Sequence, residues 1–155
     1  MPQNVHLERI DEQNYLDCFA LQLAPGQERF ASHPVRSLAQ AYVYYHQCTP
    51  FGVYDGSEMV GYVLVIYDDD EKSYNLWHLM IDQSKQGMGY GEKAVELCLR
   101  YIRTQPFGAS DLVLLTCHED NACAMHIYQE LGFAPTGNVF DDEAELALHV
   151  PLGTD

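Results

Sequence analysis

Apolar and polar positions along the chain switch between two periods, and the switches divide it into elements. Val5, Leu7 and Ile10 stand among polar neighbours over residues 4–10, which predicts a short first strand. Asp11 can cap a helix carrying Tyr15, Leu16 and Phe19. Pro25-Gly26 then interrupts, and Pro34 opens a longer helical pattern through Leu38, Ala41, Tyr42 and Tyr45. The runs 51–54 and 59–67 flank Asp55-Gly56, a dipeptide suited to the positive φ angles of a tight hairpin turn. Residues 68–72 read as a solvated loop, and 74–81 as a nearly continuous apolar strand. From 90 to 103, Ala94, Val95, Cys98, Leu99 and Ile102 follow the 3.6-residue period of a half-buried helix, which Pro106 and Gly108 end. A buried strand at 112–117 and a helix at 121–131, closed by Gly132, come next. Two final strands join at Asp141-Asp142, and Ala144, Leu146, Leu148 and Val150 share one face of the last.

The predicted order is β-α-α-β-β-β-α-β-α-β-β. It describes an α+β sandwich with helices on both faces of a mixed, mainly antiparallel sheet. With 155 residues and no internal repeat or linker, one domain spanning residues 1–155 is expected.

Composition narrows the function. Apolar residues make up 47% of the chain and charged residues 20%, so it is globular and neither disordered nor collagen-like. Eight basic residues against 23 acidic ones leave a net charge of −15, which repels nucleic acid and anionic membranes. A cationic small molecule would be attracted, although the same charge also serves plain solubility. No window reaches the ~18–20 apolar residues of a membrane span, and the first ten residues lack the order of a signal peptide, so a cytoplasmic location is expected. The five cysteines are odd in number and include no CxxC pair, so no disulfide framework is expected. Cys117, His118, Cys123 and His126 cluster in a spacing that matches no common zinc pattern, and the acidic run 68–71 lacks the ligand order of an EF-hand. No metal is expected.

Candidate chemistry concentrates in residues 79–91, a buried strand, a short turn and a glycine-rich helix start. Gly87, Gly89 and Gly91 let backbone approach a ligand, and the free N–H groups of a first helical turn favour an anion. The segment is neither a Walker loop nor a Rossmann fingerprint, and by itself it suits a diphosphate cradle or an ordinary strand-to-helix turn. Asn121 and Tyr128 stand seven residues apart, about two helical turns, and so share one helix face. One ligand could touch both, or Tyr128 could simply be a packed aromatic.

Together these segments resemble the GNAT superfamily of acetyl-CoA-dependent N-acetyltransferases, and the resemblance covers almost the whole chain. The family's Arg/Gln-x-x-Gly-x-Gly/Ala signature is met by Gln86, Gly89 and Gly91, and its later block by Asn121, Tyr128 and Leu131-Gly132-Phe133. The resemblance implies a seven-stranded sheet splayed between strands four and five, with acetyl-CoA as cosubstrate. Leu79, Met80 and Ile81 would line the pantetheine, with Met80 or Ile81 N–H polarising the thioester. Gln86, Gly87, Met88, Gly89, Tyr90 and Gly91 would hold the diphosphate, with Asn121 and Tyr128 also on the cofactor. Tyr128 takes the family position of the general acid, and direct attack in a ternary complex needs no cysteine nucleophile. Segments 28–32, 37–42 and 77–82 are similar to those of bacterial spermine/spermidine acetyltransferases, which implies a polyamine acceptor with Glu28 and His78 as substrate contacts. His78, with an ordinary pKa of ~6.5, is a candidate base beside water or a merely packed ring. The alternatives left open are another amine (an amino acid, aminoglycoside or peptide N-terminus) or a non-catalytic acyl-CoA-binding regulator. A homodimer is a further family expectation.

Overall fold

The structure, a computed structural model, describes residues 3–151. Its strands are β1 (Val5–Arg9), β2 (Cys48–Asp55), β3 (Glu58–Asp68), β4 (Ser73–Ile81), β5 (Leu112–His118), β6 (Ala134–Phe140) and β7 (Glu143–His149). They form one sheet in the order β1-β2-β3-β4-β5-β7-β6. Every neighbouring pair is antiparallel except β4 and β5. Those two parallel strands pair only at Tyr74↔Val113 and Asn75↔Leu114. Beyond that point β5 stays fully paired with β7, from Leu112↔His149 to His118↔Glu143, while β4 runs on to Ile81 without a neighbour on that side. The expected splay is therefore present, and it leaves unpaired backbone facing a gap.

Helices α3 (Tyr90–Arg103) and α4 (Ala122–Glu130) cover one face of the sheet, and α1 (Tyr15–Phe19) and α2 (Pro34–Val43) the other. The α3 stripe read from the sequence is the buried one: Ala94, Val95, Cys98 and Ile102 are fully buried against Val53, Val63, Val65 and Leu115. Burying an aliphatic side chain of this size stabilises by roughly 1.5–3 kcal/mol, so packing against the sheet, not helix propensity, holds α3 in place. On the other face Cys18, Leu21 and Ala41 pack on Cys48, Tyr62, Leu64 and Met80.

Two local details differ from expectation. Asp55 pairs with Glu58 inside the ladder, so the hairpin loop is Gly56-Ser57 and only Gly56 takes a positive φ, at 63°. A register shift also interrupts the β3–β4 ladder. Leu64 pairs with His78 but Val65 with Leu76, which leaves Trp77 as a bulge. Leu76 therefore faces the α3 side, while His78, opposite Leu64, faces the α2 side. Without the bulge, residues 76 and 78 would share a face.

Candidate active site

The gap-facing edge of β4 follows from the hydrogen-bond ladder. Asp82 N–H donates to Val60 C=O at 2.8 Å, so in the observed register the 82/60 and 80/62 positions are the hydrogen-bonded pairs. Backbone groups of Met80 therefore turn to β3, and those of Leu79 and Ile81 turn to the gap. This corrects the expectation that Met80 N–H serves a thioester; only the Leu79 and Ile81 amides face the right way. The Met80 side chain is buried on the α2 face, whereas Leu79 and Ile81 pack on the α3 side.

Beyond β4, Asp82 caps a single 3-10 turn, its carboxylate accepting from Ser84 N–H at 3.1 Å and Ser84 Oγ at 2.6 Å. Gly87 and Gly89 follow at φ 77° and 92°, left-handed conformations that side chains resist. Gly89 is the N-cap of α3 and offers no side-chain acceptor, so the first amides of the helix are left for an external anion. Met88 is exposed beside them. Gly91 has no positive φ, and a Cβ there would meet Ile127 Cδ1 at an ordinary 3.5 Å. The Tyr90 side chain points away from the turn. It is buried, and its hydroxyl donates to Asp55 Oδ2 at 2.6 Å, which holds the Asp55 carboxyl below its ordinary range. Tyr90 can reach a cofactor through backbone alone.

Asn121 caps α4, its Oδ1 accepting from Ala124 N–H at 3.4 Å. Two turns on, Tyr128 is buried with its ring edge-on to Phe133 at 5.8 Å. Its hydroxyl has no partner among the described residues. The only buried side-chain polar atom without a partner among the described residues is Gln40 Oε1, so the Tyr128 hydroxyl opens outward. Burial, with the neighbouring Cys117 and Cys98, pushes the phenol up, so it stays protonated at neutral pH. The Cys117 thiol is pushed up to about 11 by burial and by Glu143, which leaves no thiolate to act as a nucleophile.

The other side of the gap is assembled from distant segments. Residues 20–33, between α1 and α2, run across the C-terminal ends of β4 and β5. On the β4 side Gln22 N–H donates to Asp82 Oδ1 at 2.8 Å, and the Gln27 and Gln86 amides exchange hydrogen bonds of 3.1 and 2.7 Å. Gln86 also donates to Ile81 C=O at 2.9 Å, so this motif side chain braces the loop. On the β5 side Arg29 lies 3.6 Å from Asp120, and the Phe30 ring packs on His118 at 5.2 Å. Glu28 sits exposed between the two anchorages. A cavity of about 510 Å³ opens beneath, lined by Arg29, His118, Glu119, Asp120, Val139 and Asp142. No periodicity signals Gln27, Arg29 or Asp120; their roles arise only from the crossing of strap and strand ends.

His78 lies on this side, its ring stacked on Trp77 at 4.7 Å, and Trp77 in turn meets Tyr44, the C-cap of α2, at 5.8 Å. Burial and the nearby Arg36 charge lower its pKa to about 4. The ring is neutral at pH 7 but holds a proton weakly. An alkylammonium of pKa near that of lysine, ~10.4, would surrender its proton to such a base only against a gradient of about six pH units. That is the physical objection to His78 as the base.

Comparison with known proteins bears on the whole arrangement. Residues 15–133 match the acetyltransferase (GNAT) family. Over 100 residues the chain is 27% identical to a spermine/spermidine N(1)-acetyltransferase of Bacillus subtilis, a match that covers 61% of this chain and 64% of that protein. The match thus spans less than two thirds of that relative's length. Among solved structures, a spermidine N-acetyltransferase from Vibrio cholerae in complex with CoA and spermine superposes with a TM-score of 0.69 at 15% identity, over 94% of this chain and 95% of that one. The ribosomal-protein-S18-alanine N-acetyltransferase from Escherichia coli does so with a TM-score of 0.71 at 14% identity, over 97% of each. At such identities the superpositions establish the shared fold.

Proposed function

The chain belongs to the GNAT acetyltransferase family, and from that premise we propose that it transfers the acetyl group of acetyl-CoA to a primary amine, a polyamine such as spermidine or spermine, by direct attack in a ternary complex. The observation that carries this reading is the unpaired β4 edge from Leu76 to Ile81 leading straight into the uncapped, positive-φ glycine turn before α3. An extended amide-bearing chain ending in a diphosphate suits that path: Leu79 and Ile81 backbone can pair with the chain, and the first amides of α3 with the diphosphate. Acetyl-CoA supplies the activated acetyl thioester.

The residues then divide the work. A gap-facing N–H of Leu79 or Ile81 stabilises charge growing on the carbonyl oxygen as the amine nitrogen bonds to the carbonyl carbon. As the C–S bond breaks, the Tyr128 hydroxyl gives its proton to the departing thiolate. The proton lost by the amine leaves through water, since His78 holds one too weakly. The net charge of −15 and the Glu119, Asp120 and Asp142 carboxylates of the cavity at the β5 end favour a cationic acceptor. The identity of the relatives supports the polyamine class in the same direction.

An acetyl-CoA consumption assay across spermidine, spermine, putrescine, amino acids, aminoglycosides and peptide N-termini tests the reading. Polyamines should give the highest kcat/KM, and added salt should lower it by screening. Faster turnover of amino acids or peptides would replace the substrate class, and no turnover with any amine would return the chain to an acyl-CoA-binding regulator.

A further inference from the structure

Ser37 and Tyr62 take no part in the transfer step, yet both are fully buried and tied to the histidine that faces the acceptor side. Ser37 Oγ lies 2.8 Å from Tyr62 Oη and 2.6 Å from His78 Nδ1, and neither hydroxyl has another side-chain partner. Such a row must distribute its hydrogens so that no buried donor is left over. If Tyr62 donates to Ser37 and Ser37 donates to Nδ1, both hydroxyl hydrogens are used, and the neutral imidazole carries its own hydrogen on Nε2. If Nδ1 instead donated to Ser37, one hydroxyl hydrogen, of Ser37 or of Tyr62, would point unpaired into the packing formed by Cys18, Cys48, Leu64 and Met80. An orphaned buried donor disfavours that arrangement by about tenfold or more. On the opposite ring edge Nε2 has no partner among the described residues and is not sealed from solvent. The groups around the ring favour the neutral state. Arg36 and Ser37 face it from α2, Tyr62 from β3 and Trp77 from β4, and no carboxylate pairs with it among the described residues.

We propose that Ser37, braced by Tyr62, is a positioning residue that holds His78 as the neutral Nε2–H tautomer, so that His78 offers the acceptor site an N–H donor and takes no proton from the amine. The Nε2–H can anchor the water through which that proton leaves. It can also approach the lone pair of a free-base amine, but not the N–H groups of an ammonium, which have nothing to accept it with. The substrate side of this inference rests on the acetyltransferase reading; the placement of the hydrogen rests on the buried trio alone.

The test is a long-range ¹H–¹⁵N correlation on the full chain carrying ¹⁵N-histidine, with the His78 signals assigned by their loss in His78→Phe. Wild type should show a protonated Nε2 and an accepting Nδ1 that do not titrate between about pH 5 and 8, on either side of the ordinary histidine pKa. In Ser37→Ala the signals should move toward a tautomer average, and kcat/KM for the amine should fall about tenfold, the weight of one orphaned donor, with acetyl-CoA affinity unchanged. Tyr62→Phe leaves the Ser37 hydrogen free for Nδ1 and should keep the Nε2–H signals, whereas Ser37→Cys, a much weaker donor, should shift them and serves if Ser37→Ala does not fold. The proposal is overturned by an Nδ1–H tautomer in wild type, by a ring that protonates in that pH window in step with kcat/KM, or by Ser37→Ala leaving the tautomer signals unchanged. Absence of turnover in wild type would sink the acetyltransferase reading and leave the tautomer result standing.

Discussion

The two sides of the candidate site are built on different principles. The side proposed for the cofactor is almost entirely backbone: the Leu79 and Ile81 edge, the positive-φ turn at Gly87 and Gly89, and the first amides of α3 lie within 13 consecutive residues. Its side chains work outside the ligand path, Tyr90 on Asp55 and Gln86 on Gln27 and Ile81. The side proposed for the acceptor is almost entirely side chains drawn from the strap, α2, β4 and the end of β5. Backbone geometry suits a ligand common to a whole family, while side chains brought from far apart can be varied to suit one acceptor.

The sharpest way to separate the sides is Tyr128→Phe, which removes an unpartnered hydroxyl and leaves the ring against Phe133. The expected loss is ~10²-fold in kcat with unchanged acetyl-CoA affinity in calorimetry. If affinity falls instead, Tyr128 belongs to the cofactor side. Gly89→Glu should weaken acetyl-CoA binding by roughly tenfold or more, since it combines left-handed strain with a negative charge at a helix N-terminus. Unchanged affinity in a variant with native circular dichroism would remove the turn from the cofactor path.

The next effect is on stability. The folded-state pKa of His78, about 4, lies below the ordinary 6.5, so between those values the unfolded chain binds the extra proton. Stability should therefore fall as pH drops through that window. For a partly exposed ring the loss is on the order of 1–2 kcal/mol, read from urea midpoints, and His78→Phe should abolish the slope. Smallest is Tyr90→Phe. Loss of its hydrogen bond to the ionised Asp55 should lower the melting temperature at neutral pH. Because the Asp55 pKa is depressed, that difference should vanish once the pH drops below the folded-state value and the carboxylate is protonated. A difference that persists in acid would mean the contribution comes from ring packing.

Most of the fold was legible in sequence because its signals are local. The α3 stripe from Ala94 to Ile102, the apolar run of β4 and the closing Gly132 each declare themselves within one or two turns or one strand. The Gly56-Ser57 loop shows the limit of such reading: Asp55-Gly56 marks a turn, but the ladder decides which two residues form it. The cofactor motif was legible for the same reason as α3, being contiguous. Met80 was misjudged because which strand edge an amide faces depends on register with β3, which strand composition does not carry.

By itself, then, the sequence determined the order of elements, the buried faces of the helices, the acidic surface and the backbone cradle before α3, because each depends on neighbours near in the chain. Only the tertiary structure decided that β4 and β5 part after two residue pairs, that the strap joins Gln86 to Gln27 and Arg29 to Asp120, and that the Trp77 bulge turns His78 toward Ser37 and Tyr62. These features depend on register and on contacts between residues up to 91 positions apart, as for Arg29 and Asp120. A one-residue slip in a ladder reverses a side chain's face while leaving composition and period untouched.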